Sequence, residues 1–212
     1  MKQKAIKAIK EAGILLVFPI KNQSEPLSLW SCLHPRTSMR WEWDVGGDGK
    51  VFALWSLREE LSRSRKVIYS KWYQGRATFF SKEIFVYLLS YLRTDRPLPS
   101  ESQEILDCLE QDSPLSPKQL KELVHLQGKW MESTYQRNMK VLWSRLLILG
   151  FGEMDDSSFP SLKIGATQSL FEDLWQASLE ISTIDAENYL QKRLGEKNKF
   201  WIFAKKLHGL GH

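Results

Sequence analysis

Between residues 66 and 81 the chain KVIYSKWYQGRATFFS alternates. Lys66, Ile68, Ser70 and Trp72 fall on one side of an extended strand and Val67, Tyr69, Lys71 and Tyr73 on the other, the period-two pattern of a sheet. Gln74-Gly75 supplies a two-residue turn, where glycine accepts the positive φ that such turns demand, and 76–80 returns as a second strand. Apolar positions on either side of this hairpin predict helices over 54–65 and 81–92. Two prolines and mixed charge in RTDRPLPS, 93–100, then interrupt the pattern and mark a boundary.

Beyond it, Ser100 with Gln103 and Ser116 with Gln119 both have capping-box spacing, and Pro117 stands at a first helical position. They predict helices over 101–111 and 117–126. A third, over 133–150, turns Tyr135, Met139, Leu142, Leu146 and Leu149 to the core and Gln136, Arg137, Lys140 and Ser144 away from it, with Gly150 closing its C-terminus. Strands over 151–154 and 161–167 follow, joined by a polar tip at 155–158. Residues 168–178 and 184–210 read as helical, the latter basic and carrying Phe200, Trp201 and Phe203. The fold class predicted is α+β, mostly helical, with tandem winged helix-turn-helix modules and short β-hairpin wings. Residues 1–95 form the first module, 96–167 the second, and 168–212 a C-terminal helical extension.

A chain of 212 residues with 42% hydrophobic content supports packed cores rather than disorder. Thirty Lys and Arg against twenty-five Asp and Glu leave a net charge of +5. Part of the excess is clustered on the hairpin and its flanks, at Arg58, Arg63, Arg65, Lys66, Lys71, Arg76 and Lys82, although solvated helix faces produce such runs too. Cys32 and Cys108 stand far apart, no secretory leader is evident and no apolar run approaches the ~20 residues of a membrane span, so a reduced cytoplasmic setting without disulfide or membrane is expected. His34, His125, His208 and His212 lack metal-ligand spacing, so no metal is expected. No G-x-S-x-G elbow occurs, and Gly46-Gly47-Asp48-Gly49 lacks the Lys-Ser/Thr of a phosphate loop. Among the aromatics, Trp30 and Trp55 are assigned to the core, Trp41 and Trp43 share a face of an extended segment over 39–45, and Trp72 and Tyr73 flank the turn, where packing and ligand contact both remain open.

The segment Lys71-Trp72-Tyr73-Gln74-Gly75-Arg76-Ala77-Thr78-Phe79-Phe80, followed by an apolar helix and a second helix-and-hairpin unit, resembles the AlkZ/YcaQ-type winged-helix DNA glycosylases. Their hairpin carries a basic-x-aromatic-x-x-Arg-Gly-Thr-x-His pattern; here Arg76 and Thr78 match, while Ala77 and Phe80 replace the glycine and the histidine. The family's Gln-x-Gln signature aligns with Lys21-Asn22-Gln23, ahead of Leu27-Ser28-Leu29-Trp30, so Gln23 is kept and Lys21 replaces the first glutamine. An amide oxygen can orient a water and stabilise positive charge on the sugar, whereas an ammonium opposes that charge. The resemblance spans about residues 14–167. It implies a divergent, shortened relative that binds double-stranded DNA and, if an enzyme, hydrolyses the N-glycosidic bond of an alkylated base without a cofactor. Lys21 and Gln23 would stand at the reaction centre. Lys71, Trp72, Tyr73, Gln74, Arg76, Thr78, Arg137 and Lys140 would contact DNA. Two alternatives stay open: a non-catalytic winged-helix transcriptional regulator reading the major groove with the 133–150 helix, and a winged-helix protein-interaction scaffold.

Overall fold

The computed structural model describes residues 1–41, 49–155 and 160–210. Gly46, Gly47, Asp48, Trp43, His212 and most of the polar tip at 155–158 lie outside the described residues. Among the described residues the fold is α+β and mostly helical, with two small antiparallel sheets. In chain order the first part runs α1 (Lys2–Ala12), β1 (Ile14–Leu16), α2 (Leu29–Leu33), α3 (Gly49–Ser62), β2 (Ile68–Tyr73), β3 (Arg76–Phe80) and α4 (Lys82–Leu92). It continues with α5 (Ser100–Gln111), α6 (Pro117–Leu123), α7 (Glu132–Ser144), β4 (Ile148–Met154) and β5 (Ser161–Ala166), then α8 (Thr167–Leu170), α9 (Glu172–Leu179), α10 (Thr183–Leu194) and α11 (Lys199–Leu210).

The predicted hairpin forms, and β1 joins it, pairing Ile14 with Phe80 and Leu16 with Thr78 to give the strand order β1-β3-β2. Both faces of this sheet are covered. Leu15, Val17, Tyr69 and Phe79 pack with Ile6, Ile9 and Leu54 of α1 and α3, while Ile14, Ile68, Trp72 and Phe80 pack with Ile84 and Leu88 of α4. Strict alternation would send Trp72 and Tyr73 to opposite faces. A register shift between Ser70 and Tyr73 changes that: the extra residue of a bulge resets the side-chain period. Both rings enter the α4 core and meet Phe203 at centroid distances of 5.0 and 4.9 Å. Thr78 Oγ1 latches this corner, donating to the Arg76 carbonyl at 2.8 Å and accepting from the Tyr73 N–H at 3.4 Å.

Residues of the tail complete the same core: Leu174, Leu190, Phe200 and Trp201 share it with Ile14, Ile68 and Ile84. Ser90 Oγ donates to the Ile181 carbonyl at 2.7 Å and Arg93 to that of Ser178 at 3.1 Å, tying α4 to the chain around α9. The 184–210 helix is divided in two, because Gly195 ends α10 at φ +85° before α11 begins.

A separate core holds Ile105, Leu120, Met139, Leu142, Ile148 and Ile164 from α5, α6, α7 and the β4-β5 pair. Leu115 exchanges backbone hydrogen bonds with Ile164 at 2.8 and 2.7 Å, adding one extended residue beside β5. The Ser116 capping box forms, with the hydroxyl accepting from Gln119 N at 3.2 Å and the Gln119 side chain accepting from Ser116 N at 2.9 Å. The Ser100 box does not: Pro99 is the N-cap of α5, and the Ser100 hydroxyl turns to Glu101. Helix α7 ends at Ser144, short of Gly150, which lies inside β4. A Cβ at Gly150 would stand 2.5 Å from the Tyr69 ring, so this glycine lets β4 approach β2 and does not cap a helix.

The two halves are joined through buried polar groups. The Arg58 guanidinium pairs with Glu153, and the Gly152 N–H donates to Ser62 Oγ at 2.9 Å. Burial works against the Arg58 charge, but Tyr69 and Glu153, both hydrogen-bonded to it, raise its pKa overall. Cys32 and Cys108 are both free, and no helix among the described residues is long and apolar enough to cross a membrane.

Candidate nucleic-acid interface

The hairpin β2-β3 brings its turn against α6, α7 and α11, and a cleft of about 740 Å³ opens between them. Lys71, Gln74 and Gly75 come from the hairpin, Lys121 from α6, Gln136 and Lys140 from α7, and Lys206 from α11. The floor is aromatic: Trp72, Tyr135, Trp143 and Phe203. Gly75, at φ +74°, makes the tight turn that presents Gln74. Among the described residues no carboxylate lines the cleft. Among the described residues Lys71, Lys140 and Lys206 form no ion pair, whereas Lys121 is held by Glu132 at 2.5 Å and lies over the Tyr135 ring at 4.6 Å. Lys71 is exposed, yet the desolvation it meets, followed by the like charge of Arg58, lowers its pKa. Burial, then Glu132, pushes the Tyr135 hydroxyl well above the ordinary tyrosine range, so it stays protonated. Among the described residues neither Tyr135 Oη nor Trp72 Nε1 has a hydrogen-bond partner.

The cleft therefore gathers four of the residues singled out in the sequence: Lys71, Trp72, Gln74 and Lys140. Arg76 and Arg137 are exposed but lie outside its lining. Three expected DNA contacts are buried. Trp72 is 2% exposed, its edge packed on Phe80 and Phe203, because strand alternation puts it on the Ile68 face, which α4 and α11 cover. Tyr73 meets Phe200 and Phe203 in the same way, and Thr78 is consumed by the hairpin's internal hydrogen bonds. Trp55, assigned to the core, is instead 47% exposed, with the Arg58 guanidinium 4.1 Å from its ring and Phe18 stacked on it at 6.3 Å. Trp30 is buried as expected.

Lys21 and Gln23 belong to a different place. They follow β1 in a turn where Lys21 and Asn22 adopt φ +50° and +55°, and Asn22 clamps the Met39 backbone in both directions, at 2.7 and 3.0 Å. Gln23 lines a cavity of about 380 Å³ with Trp30, Ser31, His34 and Thr37. Lys21 is exposed and does not line it, and this cavity shares no lining residue with the cleft.

Sequence reading missed Lys121, Lys206 and Tyr135 as cleft residues. The sequence singles out neither lysine and assigns Tyr135 to the core; only the docking of α11 beside the hairpin places them together. A model of the AlkZ-related family matches residues 2–199. The chain belongs to the AlkZ-related family. No curated protein and no solved structure matches it. For an AlkZ-related protein the match carries a relationship to DNA-repair glycosylases across both halves and most of the tail, a longer span than the residues 14–167 on which the resemblance rested. Among the described residues no group of three or more His, Cys, Asp or Glu could hold a metal ion.

Proposed function

We propose that this AlkZ-related protein binds double-stranded DNA through the cleft between the β2-β3 hairpin and α7, in a tandem winged-helix arrangement. The observation that carries the reading is the cleft itself, a cationic wall over an aromatic floor, with no carboxylate in the lining among the described residues. The element order supports the arrangement, since helix, strand, helix, helix and hairpin occur twice, with Leu115 in the position of the first strand in the second unit. Residues 1–95 and 96–167 are the two modules, and 168–212 the extension. Lys71, Lys140, Arg76 and Arg137 hold phosphates, while Gln74 at the hairpin turn and Gln136 on α7 reach the bases.

Fluorescence anisotropy of a labelled duplex at increasing salt tests the reading. Affinity should fall linearly with salt on logarithmic axes, and Lys140→Ala should weaken binding to every sequence alike and flatten the slope by about one unit. Salt-independent or absent binding sinks the proposal in favour of the protein scaffold; a strong preference for one operator sequence favours the regulator.

Excision of an alkylated base is a second reading, favoured by Gln23 in its own cavity beside Trp30. Here Gln23 orients the attacking water, and Lys21, whose ammonium would oppose charge on the sugar, contributes phosphate binding alone. Release of free base from alkylated duplex, lost in Gln23→Ala with binding retained, is the expected result. Undiminished release in that variant removes Gln23 from the reaction.

A further inference from the structure

The cleft does not end at α7. A second basin of about 780 Å³ adjoins it, and Lys140, Ser144 and Leu207 line both. Arg93, Arg96 and Arg145 with His208 make its wall basic, and among the described residues Asp95 is the one carboxylate lining it. Arg93 and Arg145 are set in place by backbone carbonyls, Arg93 by Ser178 and Arg145 by Arg96 at 2.9 Å, and among the described residues no ion pair neutralises either. Desolvation, then the charge of Arg96, lowers the Arg145 pKa. Crowded cations of this kind carry an electrostatic cost that a bound polyanion relieves.

Resting on the DNA-binding reading, we propose that cleft and basin form one groove for an unpaired strand, so that the preferred ligand is a duplex carrying a single-stranded arm. Three features argue for this. A paired helix hides its base faces, and cavities of about 740 and 780 Å³ fall in the range of ~300–1,000 Å³ that encloses small groups such as single nucleotides, so the duplex is held at the cleft's mouth and only an unpaired strand enters. A cationic track combined with aromatic side chains is what binds single strands without reading their sequence. Finally, Trp72 Nε1 and Tyr135 Oη, both in residues that line the cleft and are at least nine-tenths buried, lack partners among the described residues, and an unpaired base adds to its groove edge the Watson–Crick edge that pairing closes in a duplex. The duplex sits at the hairpin mouth, and its arm runs past Lys140 toward Arg145.

Anisotropy with a blunt duplex, the same duplex bearing a short unpaired arm, and the arm alone, at one salt concentration, tests the groove. The armed duplex should bind on the order of tenfold more tightly than the blunt one. Lys140→Ala, at the exposed residue common to both cavities, should remove most of that advantage, and Tyr135→Phe, which keeps the ring and removes the hydroxyl, should reduce the ratio of armed to blunt affinity. Lys192→Ala, on an exposed face of α10, should leave it intact. Equal affinity for blunt and armed duplexes overturns the groove but leaves duplex binding standing. The arm alone binding as tightly as the armed duplex keeps the groove and removes the duplex reading. Circular dichroism of each variant separates loss of binding from loss of fold.

Discussion

Single atoms decide several positions in this protein. Gly150 has space for no side chain, since a Cβ would lie 2.5 and 2.8 Å from two carbons of the Tyr69 ring. Gly150→Ala should therefore lower stability by about 1–3 kcal/mol, read as a lower urea midpoint at unchanged slope. Tyr91 offers a pH test. Burial, aided by Glu187, moves its hydroxyl from an ordinary 10.0 up to about 12. A raised folded-state pKa means the stabilisation is complete below the unfolded value and is lost as pH rises through the folded one. Stability should fall between about pH 10 and 12, and Tyr91→Phe should flatten that decline. At this scale the sequence misassigned Trp55 and left Trp72 open: helical spacing does not register an exposed ring stacked by Phe18 and Arg58, and strand alternation does not say that α4 and α11 cover the face that Trp72 shares with Ile68.

Elements whose ends are set by local chemistry were legible before any tertiary contact was known. Ser116 and Gln119 satisfy each other's backbone donors within four consecutive residues, so the start of α6 follows from the sequence. Ser116→Ala should destabilise by about 1 kcal/mol, measured by chemical denaturation, whereas Ser100→Ala should change little because Pro99 caps α5 without a side chain. The end of α7 was not legible. Leu146 and Leu149 continue the apolar spacing of the helix and are buried, but they belong to the turn and strand that follow. A buried strand and a buried helix face place apolar residues alike over so short a stretch. Strand β1 escaped notice for the same reason: its three residues are all buried, so no alternation marks it.

For the whole molecule, the coupling between halves rests on Arg58 and Glu153, ninety-five positions apart in the chain. The arginine side chain is 3% exposed, so removing its partner leaves a buried charge uncompensated. Glu153→Gln should cost about 3 kcal/mol, and a single unfolding transition by fluorescence and circular dichroism would show that the halves still unfold together. The tail is part of the same problem. Its aromatic residues were visible in the sequence, but nothing local indicates that Phe200 and Phe203 would close over Tyr73 and so set Lys206 beside the hairpin.

The sequence by itself determined the hairpin, the α4 and α6 starts, the mostly helical α+β class and the family resemblance, because each depends on residue periodicity or on hydrogen bonds closed within a few positions. Tertiary structure alone decided which cations share a cleft, which tryptophan faces solvent, and that Gln23 lies in a cavity of its own. Those outcomes depend on how α11 and α7 pack against the hairpin, and packing between segments distant in the chain leaves no periodic trace in either segment.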